Sequence, residues 1–321
     1  MLNLAVDLAP RNRHHLWLAN PVMIASGTFG YDGYGRGIPP DADLSQLGAV
    51  IPKTVTRRPR EGNPEPRWYP LSFREGLAAG ETTLLNSIGL ANPGIEDALA
   101  RLAPQWRKMG TTVVLSLSGE SAAQFGEMAA LTQGVAGFQA LELNLSCPNI
   151  ENGAHFSHDP RLAAAATAAV RANTDLPVLV KLSPNVPDVT VIARAVVDAG
   201  ADALTISNTI PAMRIDVTTR QPVLGAITGG LSGLALRPIA VALVYRTVQA
   251  VDVPVIGVGG IFCAGDALEY LMAGATAVQV GSANLADPRA PFRILEELTA
   301  YLNEAGVSDL SEIIGAAQPK A

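Results

Sequence analysis

Two lysines and a cysteine stand where short apolar runs of the chain give way to polar residues. Lys53 follows AVIP, Lys181 lies in PVLVKLS, and Cys147 lies in the polar segment NLSCPN. A buried ammonium is costly unless it meets an anion or works with a shifted pKa, so both lysines are expected to face a pocket rather than extend into solvent. A free cysteine is often a small core side chain, but this polar position favours chemistry for Cys147. Cys263, in GGIFCAGDA, is interpreted as a packing residue.

Polar residues also end most of the other apolar runs. They include Ser26-Gly27, Thr54, Ser116, Ser118, Asn144 to Asn149, Ser183 and Ser207-Asn208-Thr209. Any one of them could be a turn or cap residue, but their repetition favours a shared site. The last two runs end in Gly259-Gly260 and Gly281-Ser282. These pairs could make tight turns only, yet loops at these positions bind phosphate in many barrels, so a phosphorylated cofactor or substrate is expected.

The elements that must position these residues are short buried strands. Runs rich in β-branched residues begin at positions 21, 49, 112, 141, 177, 203, 254 and 277, and are almost wholly apolar, as parallel strands buried on both faces are. Ala-rich amphipathic segments from 160, 189 and 236 predict crossover helices, and Gly200 and Gly274 mark helix ends. The alternation predicts a (β/α)8 barrel, one domain over residues 1–321, with long insertions at 54–95 and 208–233 after strands 2 and 6.

Composition narrows the class of function. Hydrophobic residues make up 48% of the 321 residues and charged residues 16%, which is typical of a well-buried globular protein. A net charge of −6 argues against a nucleic-acid partner. We find no basic and apolar leader and no apolar run long enough for a membrane span, so a cytoplasmic location is expected. The two cysteines and four histidines match neither a disulfide framework nor a zinc pattern, so free thiols and no metal site are expected.

Several motifs together resemble the class 1 dihydroorotate dehydrogenases along nearly the whole chain. The most specific is ELNLSCPN from 142, and the others are ASGTFG at 25, KT at 53, NSIGL at 86, VKLSPN at 180, SNT at 207, GGLSG at 229, GVGGI at 257 and VGSANL at 280. The resemblance implies a (β/α)8 barrel that binds FMN. It also implies oxidation of dihydroorotate to orotate in the synthesis of UMP.

Site residues follow from the resemblance position by position. FMN contacts would be Ser26, Lys53, Thr54, Asn144, Lys181, Ser207, Gly233, Gly259, Gly260, Gly281 and Ser282, with Ser116 where the family usually has an FMN-contacting Asn. Substrate contacts would be Lys53, Asn86, Ser87, Ile88, Gly89, Leu90, Asn144, Asn208 and Thr209. Cys147 falls on the catalytic base, which takes a proton while a hydride passes to FMN, and Lys181 would stabilise the negative charge that reduction creates. Pro211-Ala212 departs from a glycine-containing family sequence.

The resemblance also indicates a subtype and a partner. Membrane-associated class 2 enzymes carry serine at the position of Cys147, and GNPEPR at 62 and CPNIENGAHF at 147 resemble the NAD-linked subtype. That subtype implies a dimer of this chain bound to a second subunit with FAD and a [2Fe-2S] cluster, as a heterotetramer. The sequence agrees, since no GxGxxG follows a strand and two cysteines cannot ligate a cluster that needs about four thiolates.

Other functions remain open from the sequence. Within flavoenzymes these are a fumarate-linked class 1A enzyme and a dihydropyrimidine dehydrogenase-like module. From another class, a phosphosugar lyase could use Lys181 as a Schiff-base nucleophile above the same phosphate site. A barrel that only binds a partner is a further alternative. Flavin absorption and substrate turnover would separate them.

Overall fold

The chain forms a closed barrel of eight parallel strands, seen in a computed structural model that describes residues 2–28, 42–146 and 156–319. Barrel strands 1 to 8 are Val22–Ile24, Ala49–Val50, Thr112–Leu117, Ala140–Asn144, Val178–Leu182, Ala203–Ile206, Val255–Val258 and Ala277–Val280. Each pairs in parallel with the next, and strand 8 pairs with strand 1. The predicted (β/α)8 barrel is therefore confirmed. Cys147 lies outside the described residues.

Helices cover the barrel, and those predicted from 160, 189 and 236 begin at Pro160, Val189 and Arg237. After strands 3 to 8 they are Ala122–Leu131, Pro160–Arg171, Val189–Asp198, Arg237–Val248, Ala264–Met272 and Ala290–Glu304, with a short helix Ser282–Ala286 between the last strand and the last helix. Asp159 and Asp188 cap two of them by accepting from the backbone N–H groups of Arg161 and Thr190. In the described parts of the chain, no helix is both long enough and apolar enough to cross a membrane.

Shorter elements connect the barrel strands. A 3₁₀ turn, Leu44–Gln46, precedes strand 2. The segments Ile95–Asp97, Ala98–Leu102 and Ala103–Trp106 form an α, π and α succession before strand 3, and further 3₁₀ turns are Leu234–Leu236 and Leu310–Glu312. A two-stranded hairpin of Val6–Asp7 and Trp17–Leu18 precedes strand 1. Gly200 and Gly274, with φ of 102° and 106°, end helices just before strands 6 and 8, as the sequence predicted.

The two long insertions pair with each other. The one after strand 2 contributes Trp68–Tyr69, the helix Phe73–Ala78 and Thr83–Asn86, and the one after strand 6 contributes Ile210–Ala212, Gly229–Gly233 and a hairpin of Ile215–Asp216 with Gln221–Pro222. Four of these strands form an antiparallel sheet in which Gly230 lies opposite Asn86. A Cβ on Gly230 would lie 2.0 Å from Thr209 Oγ1, so the close approach requires glycine. This pairing brings the NSIGL and SNT motifs together.

Candidate active site

A pocket lies at the carboxyl ends of the barrel strands, between the barrel and the sheet of the insertions. Predicted site residues that line it are Ser26, Lys53, Thr54, Asn86, Ile88, Asn144, Lys181, Ser207, Asn208, Thr209, Gly259, Gly260, Gly281 and Ser282. They come from both insertions and from seven of the eight barrel strand ends. Strand ends converge in a barrel, which explains how residues up to 256 positions apart share one cavity.

One wall of the pocket is a chain of hydroxyl groups from barrel strands 1 to 4. Ser26 Oγ donates to the carbonyl oxygen of Pro52 at 2.8 Å and accepts from the Thr54 backbone N–H at 3.1 Å. Thr54 Oγ1 lies 2.9 Å from Ser116 Oγ, and Asn144 Nδ2 donates to Thr54 Oγ1 at 3.4 Å. Ser116 is completely buried and does not line the pocket. The Ser116 hydroxyl therefore bonds to Thr54, although the family resemblance implied an FMN contact at position 116.

The loops after strands 7 and 8 form a cradle of backbone groups at one end of the pocket. Gly260 has φ of +64°, and a Cβ there would lie 2.8 Å from Arg237 Cβ and 2.9 Å from the Gly233 carbonyl oxygen. Ser282 Oγ accepts from the Gly233 backbone N–H at 3.2 Å and lies 2.9 Å from Ser232 Oγ. Gly233 thus stands behind Ser282 and does not line the pocket. The backbone N–H groups of these glycine-containing loops border the pocket without large side chains in front of them. Such an arrangement suits a phosphate group.

Both lysines face the pocket. Lys181 is buried, and burial lowers its pKa while the negative charge of Glu142 acts in the opposite direction. Its Nζ has no hydrogen-bond or ion-pair partner among the described residues. A buried cation in this setting is stabilised by an electronegative ligand. Lys53 packs along Gly27, where a Cβ would lie 2.9 Å from Lys53 Cδ, and the φ of +75° at Gly27 also requires glycine.

The amide side chains form a cluster at the other end of the pocket. Asn208 Nδ2 donates to Ser146 Oγ and, at 3.3 Å, to Asn144 Oδ1. Asn144 Oδ1 also accepts from Ser146 Oγ at 2.8 Å, and Asn208 Oδ1 accepts from the Thr209 backbone N–H at 2.8 Å. Ser146 directly precedes Cys147. The cluster therefore holds Ser146, the residue next to the predicted base.

The NSIGL segment divides between the pocket and its support. Asn86 and Ile88 line the pocket, and Asn86 Nδ2 donates to the Gly230 carbonyl oxygen at 3.2 Å. The three others do not line it. Ser87 Oγ accepts from Asn63 Nδ2 at 2.8 Å, and Gly89 and Leu90 take positive φ angles of 70° and 53° in the turn that follows. In this structure these three residues shape the turn beside the pocket, and a substrate contact from them stays a prediction.

Several residues that line the pocket were missed from the sequence. The apolar ones are Trp68, Leu84, Leu236, Val258 and Leu285, and the polar ones are Thr28, Glu142 and Ser232. Glu142 had a detectable signal, because it is the one charged residue inside the apolar run ALELNL. Trp68 had none, since it reaches the pocket only through the pairing of Trp68–Tyr69 with Thr83–Asn86.

The pocket fits a flavin mononucleotide. Gly260, Gly281 and Ser282, from the loops after strands 7 and 8, line it together with Lys181 and Asn144 from strands 5 and 4, which offer an ammonium and an amide. Leu236 and Val258 add apolar side chains to the lining, against which a flat ring could pack. Fold and pocket thus define a (β/α)8-barrel enzyme that takes a phosphorylated cofactor at its carboxyl-terminal mouth.

Comparison with known proteins gives the family. The dihydroorotate dehydrogenase family model matches residues 10–302. The chain is 46% identical over 317 residues to the dihydroorotate dehydrogenase B (NAD(+)) catalytic subunit of Desulforamulus reducens, covering 98% of this chain and 99% of that protein. It is 46% identical to the protein of the same name from Desulforudis audaxviator, covering 94% and 95%, and 45% to that from Geotalea uraniireducens, covering 93% and 94%.

The chain belongs to the dihydroorotate dehydrogenase family. Members are FMN-binding oxidoreductases, so the resemblance inferred from the motifs is confirmed. Family membership leaves the Schiff-base lyase and the non-catalytic barrel without support.

Proposed function

We propose that this chain is the catalytic subunit of an NAD-linked dihydroorotate dehydrogenase, which oxidises dihydroorotate to orotate in pyrimidine biosynthesis. The observation that carries the proposal is the single pocket in which the glycine loops of strands 7 and 8 meet Lys181, Asn144 and Asn208. Identities of 45–46% to three catalytic subunits of that name, over nearly their whole length, support the NAD-linked subtype.

The chain's own residues would hold FMN in two places. The loops at Gly259-Gly260 and Gly281-Ser282 would bind the phosphate through backbone N–H groups, and Ser26, Lys53, Thr54, Asn144 and Ser207 would contact the rest of the cofactor. When bound, FMN accepts the hydride removed from the substrate. Lys181 would offset the negative charge that develops on FMN when it is reduced. Because Lys181 is buried, this electrostatic interaction would be stronger than it is in water.

Dihydroorotate presents a carboxylate and a ring with amide donors and acceptors. Asn86, Asn144 and Asn208 can match both kinds of group because each amide side chain donates and accepts. Lys53 would offset the carboxylate charge. Cys147 would remove the proton from the substrate. Ser146, the residue before it, is held by hydrogen bonds to Asn144 and Asn208, which also bond to each other.

Electrons would leave through a partner. We infer a second subunit that carries FAD and a [2Fe-2S] cluster and binds a dimer of this chain as a heterotetramer. The term catalytic subunit in the names of the relatives supports a separate electron-transfer subunit. Two cysteines in the whole chain are too few for a cluster that needs about four thiolates. A cytoplasmic location and a single domain stay predictions.

A visible spectrum tests the proposal. The purified chain should show flavin absorption, and anaerobic dihydroorotate should bleach it, while buffer alone should not. Flavin absorption without bleaching by dihydroorotate, but with bleaching by a dihydropyrimidine, would redirect the assignment to the related flavoenzymes. A chain that binds no FMN would overturn it.

A further inference from the structure

The floor of the pocket holds a carboxylate for which the proposed reaction has no role. Glu142 is completely buried, and its Oε2 accepts hydrogen bonds from Thr205 Oγ1 and Gln279 Nε2, each at 3.0 Å. The three residues come from strands 4, 6 and 8, so they form one interior layer of the barrel, built from alternate strands. One oxygen of this carboxyl group therefore accepts from two strands of the same layer.

The second oxygen of Glu142 is left without a hydrogen bond. Glu142 Oε1 is buried and has no partner among the described residues, which is costly for an ion unless a positive charge lies near it. Lys181 is placed to supply that charge. It pairs with Thr205 on strand 6 and with Asn144, two residues after Glu142 on strand 4, so it lies near Glu142 and toward the carboxyl end of its own strand. Both side chains line the pocket.

The two charges interact without forming a direct ion pair. No nitrogen–oxygen contact within 4.0 Å joins Lys181 to Glu142 or to another carboxylate in the described ranges. Burial lowers the pKa of Lys181, and the negative charge of Glu142 offsets part of that lowering. A close salt bridge would hold Nζ against the barrel floor. The Glu142 charge favours the ammonium form, and because no direct pair forms within the described residues, the Lys181 donors stay available to a ligand. Lys53 is the other charged side chain that lines the pocket within the described residues.

We propose that Glu142 is a positioning residue that keeps Lys181 protonated in the pocket that would bind FMN, and thereby sets the relative affinity of the site for reduced and oxidised FMN. The inference rests on the proposed function, because it needs FMN in this pocket. Without the carboxylate, the buried ammonium would face neutral groups and would lose its proton more readily.

The substitution E142Q gives a test with opposite outcomes for the two possible roles. If Glu142 keeps Lys181 charged, E142Q removes the positive charge along with the negative one, and the midpoint potential of bound FMN falls. We expect about a tenfold loss in the affinity ratio of reduced to oxidised FMN, or about 30 mV for a two-electron couple. If Glu142 is only a buried negative charge, its removal leaves Lys181 unopposed and the potential rises. An unchanged potential would mean a packing role alone, and either of these last two results overturns the proposal.

Two further variants complete the design. K181M and the double variant E142Q/K181M should have equal potentials, since Glu142 acts only through Lys181, and a higher potential in the double variant would show that the carboxylate acts directly and would contradict this. E127Q removes a surface carboxylate that pairs with Arg57, and it controls for net charge. Wild-type chain that binds FMN and is bleached by dihydroorotate, with E142Q unaltered in potential, would reject this inference while leaving the proposed function intact.

Folding of E142Q offers an independent readout. If E142Q does not fold, adding K181M should restore folding and thermal stability, because the double variant no longer buries a lysine amine without its counter-charge. A double variant no more stable than E142Q would show that the two residues are independent, and would overturn the proposal.

Discussion

The hydroxyl of Tyr270 donates a 2.6 Å hydrogen bond to the carbonyl oxygen of Gly259, the first glycine of the loop after strand 7. The tyrosine is completely buried, and it packs so closely on Gly257 that a Cβ there would lie 2.3 Å from Tyr270 Cδ1. Burial raises the pKa of Tyr270, so the hydroxyl remains a donor. The helix Ala264–Met272 thus fixes the proposed phosphate loop from outside the barrel.

Tyr270→Phe should therefore weaken FMN binding about two- to tenfold, because one hydrogen bond contributes about 0.5–1.5 kcal/mol and the Gly259 oxygen loses its partner. Titration of FMN by fluorescence quenching measures the effect. Tyr301→Phe, on the exposed face of the last helix, is the matched control and should bind like wild type. Equal affinities for the two variants would contradict a role for Tyr270 in holding the loop.

Gly260→Ala should abolish or severely weaken FMN binding. The new methyl group would press on Arg237 Cβ and on the Gly233 carbonyl oxygen while the backbone keeps φ of +64°, so the loop must move. Gly306→Ala is the control, since Gly306 has φ of +70° but no atom within 4 Å of the place where its methyl group would lie. It should cost about 1 kcal/mol of stability and leave FMN affinity unchanged. If Gly260→Ala lowers only the stability and keeps wild-type FMN affinity, the loop of Gly260 is not the phosphate site.

Sequence patterns predicted the barrel well because strands buried on both faces must be apolar, and their polar ends must then meet at the barrel mouth. They could not predict the sheet that joins the insertions, since it depends on backbone pairing between Asn86 and Gly230, 144 positions apart. Nor could they tell that the Ser116 hydroxyl reaches Thr54 rather than the pocket. Side-chain alternation fixes the face of a strand, but it does not fix which neighbour a short hydroxyl meets.

Cys147→Ala should retain FMN and lose about 10² to 10⁴ in the rate of flavin reduction by dihydroorotate, because the proton acceptor is removed. Anaerobic stopped-flow absorbance measures this rate. Cys263→Ala is the control and should react normally, since Cys263 is exposed at the start of the helix Ala264–Met272 and is not the packing residue that the sequence indicated. Cys147→Ser should regain activity at raised pH, since an alcohol is a poorer acceptor at neutrality. Near-normal bleaching by the alanine variant would exclude Cys147 as the base.

Lys181→Ala should weaken FMN binding or lower the potential of the bound cofactor. The substitution removes the one cation buried in the pocket floor of the described structure, and with it the charge that offsets a reduced ring. Spectroelectrochemical titration gives the potential, and Lys108→Ala, on an exposed turn, controls for the loss of a lysine. Full FMN occupancy with an unaltered potential would contradict this placement of Lys181.

The isolated chain should be reduced rapidly by dihydroorotate but should pass electrons to NAD slowly. It contains no GxGxxG after a strand for a Rossmann-type NAD site, and its two cysteines cannot hold an iron–sulfur cluster. Co-purification with the electron-transfer subunit should therefore raise the rate of NAD reduction while leaving flavin bleaching unchanged. The comparison needs both preparations at equal FMN content, assayed by NADH absorbance under anaerobic conditions.

Rapid NAD reduction by the chain alone would remove the need for a partner. Rapid reduction of fumarate would instead support the homodimeric fumarate-linked subtype, against the relatives that the chain matches at 45–46% identity.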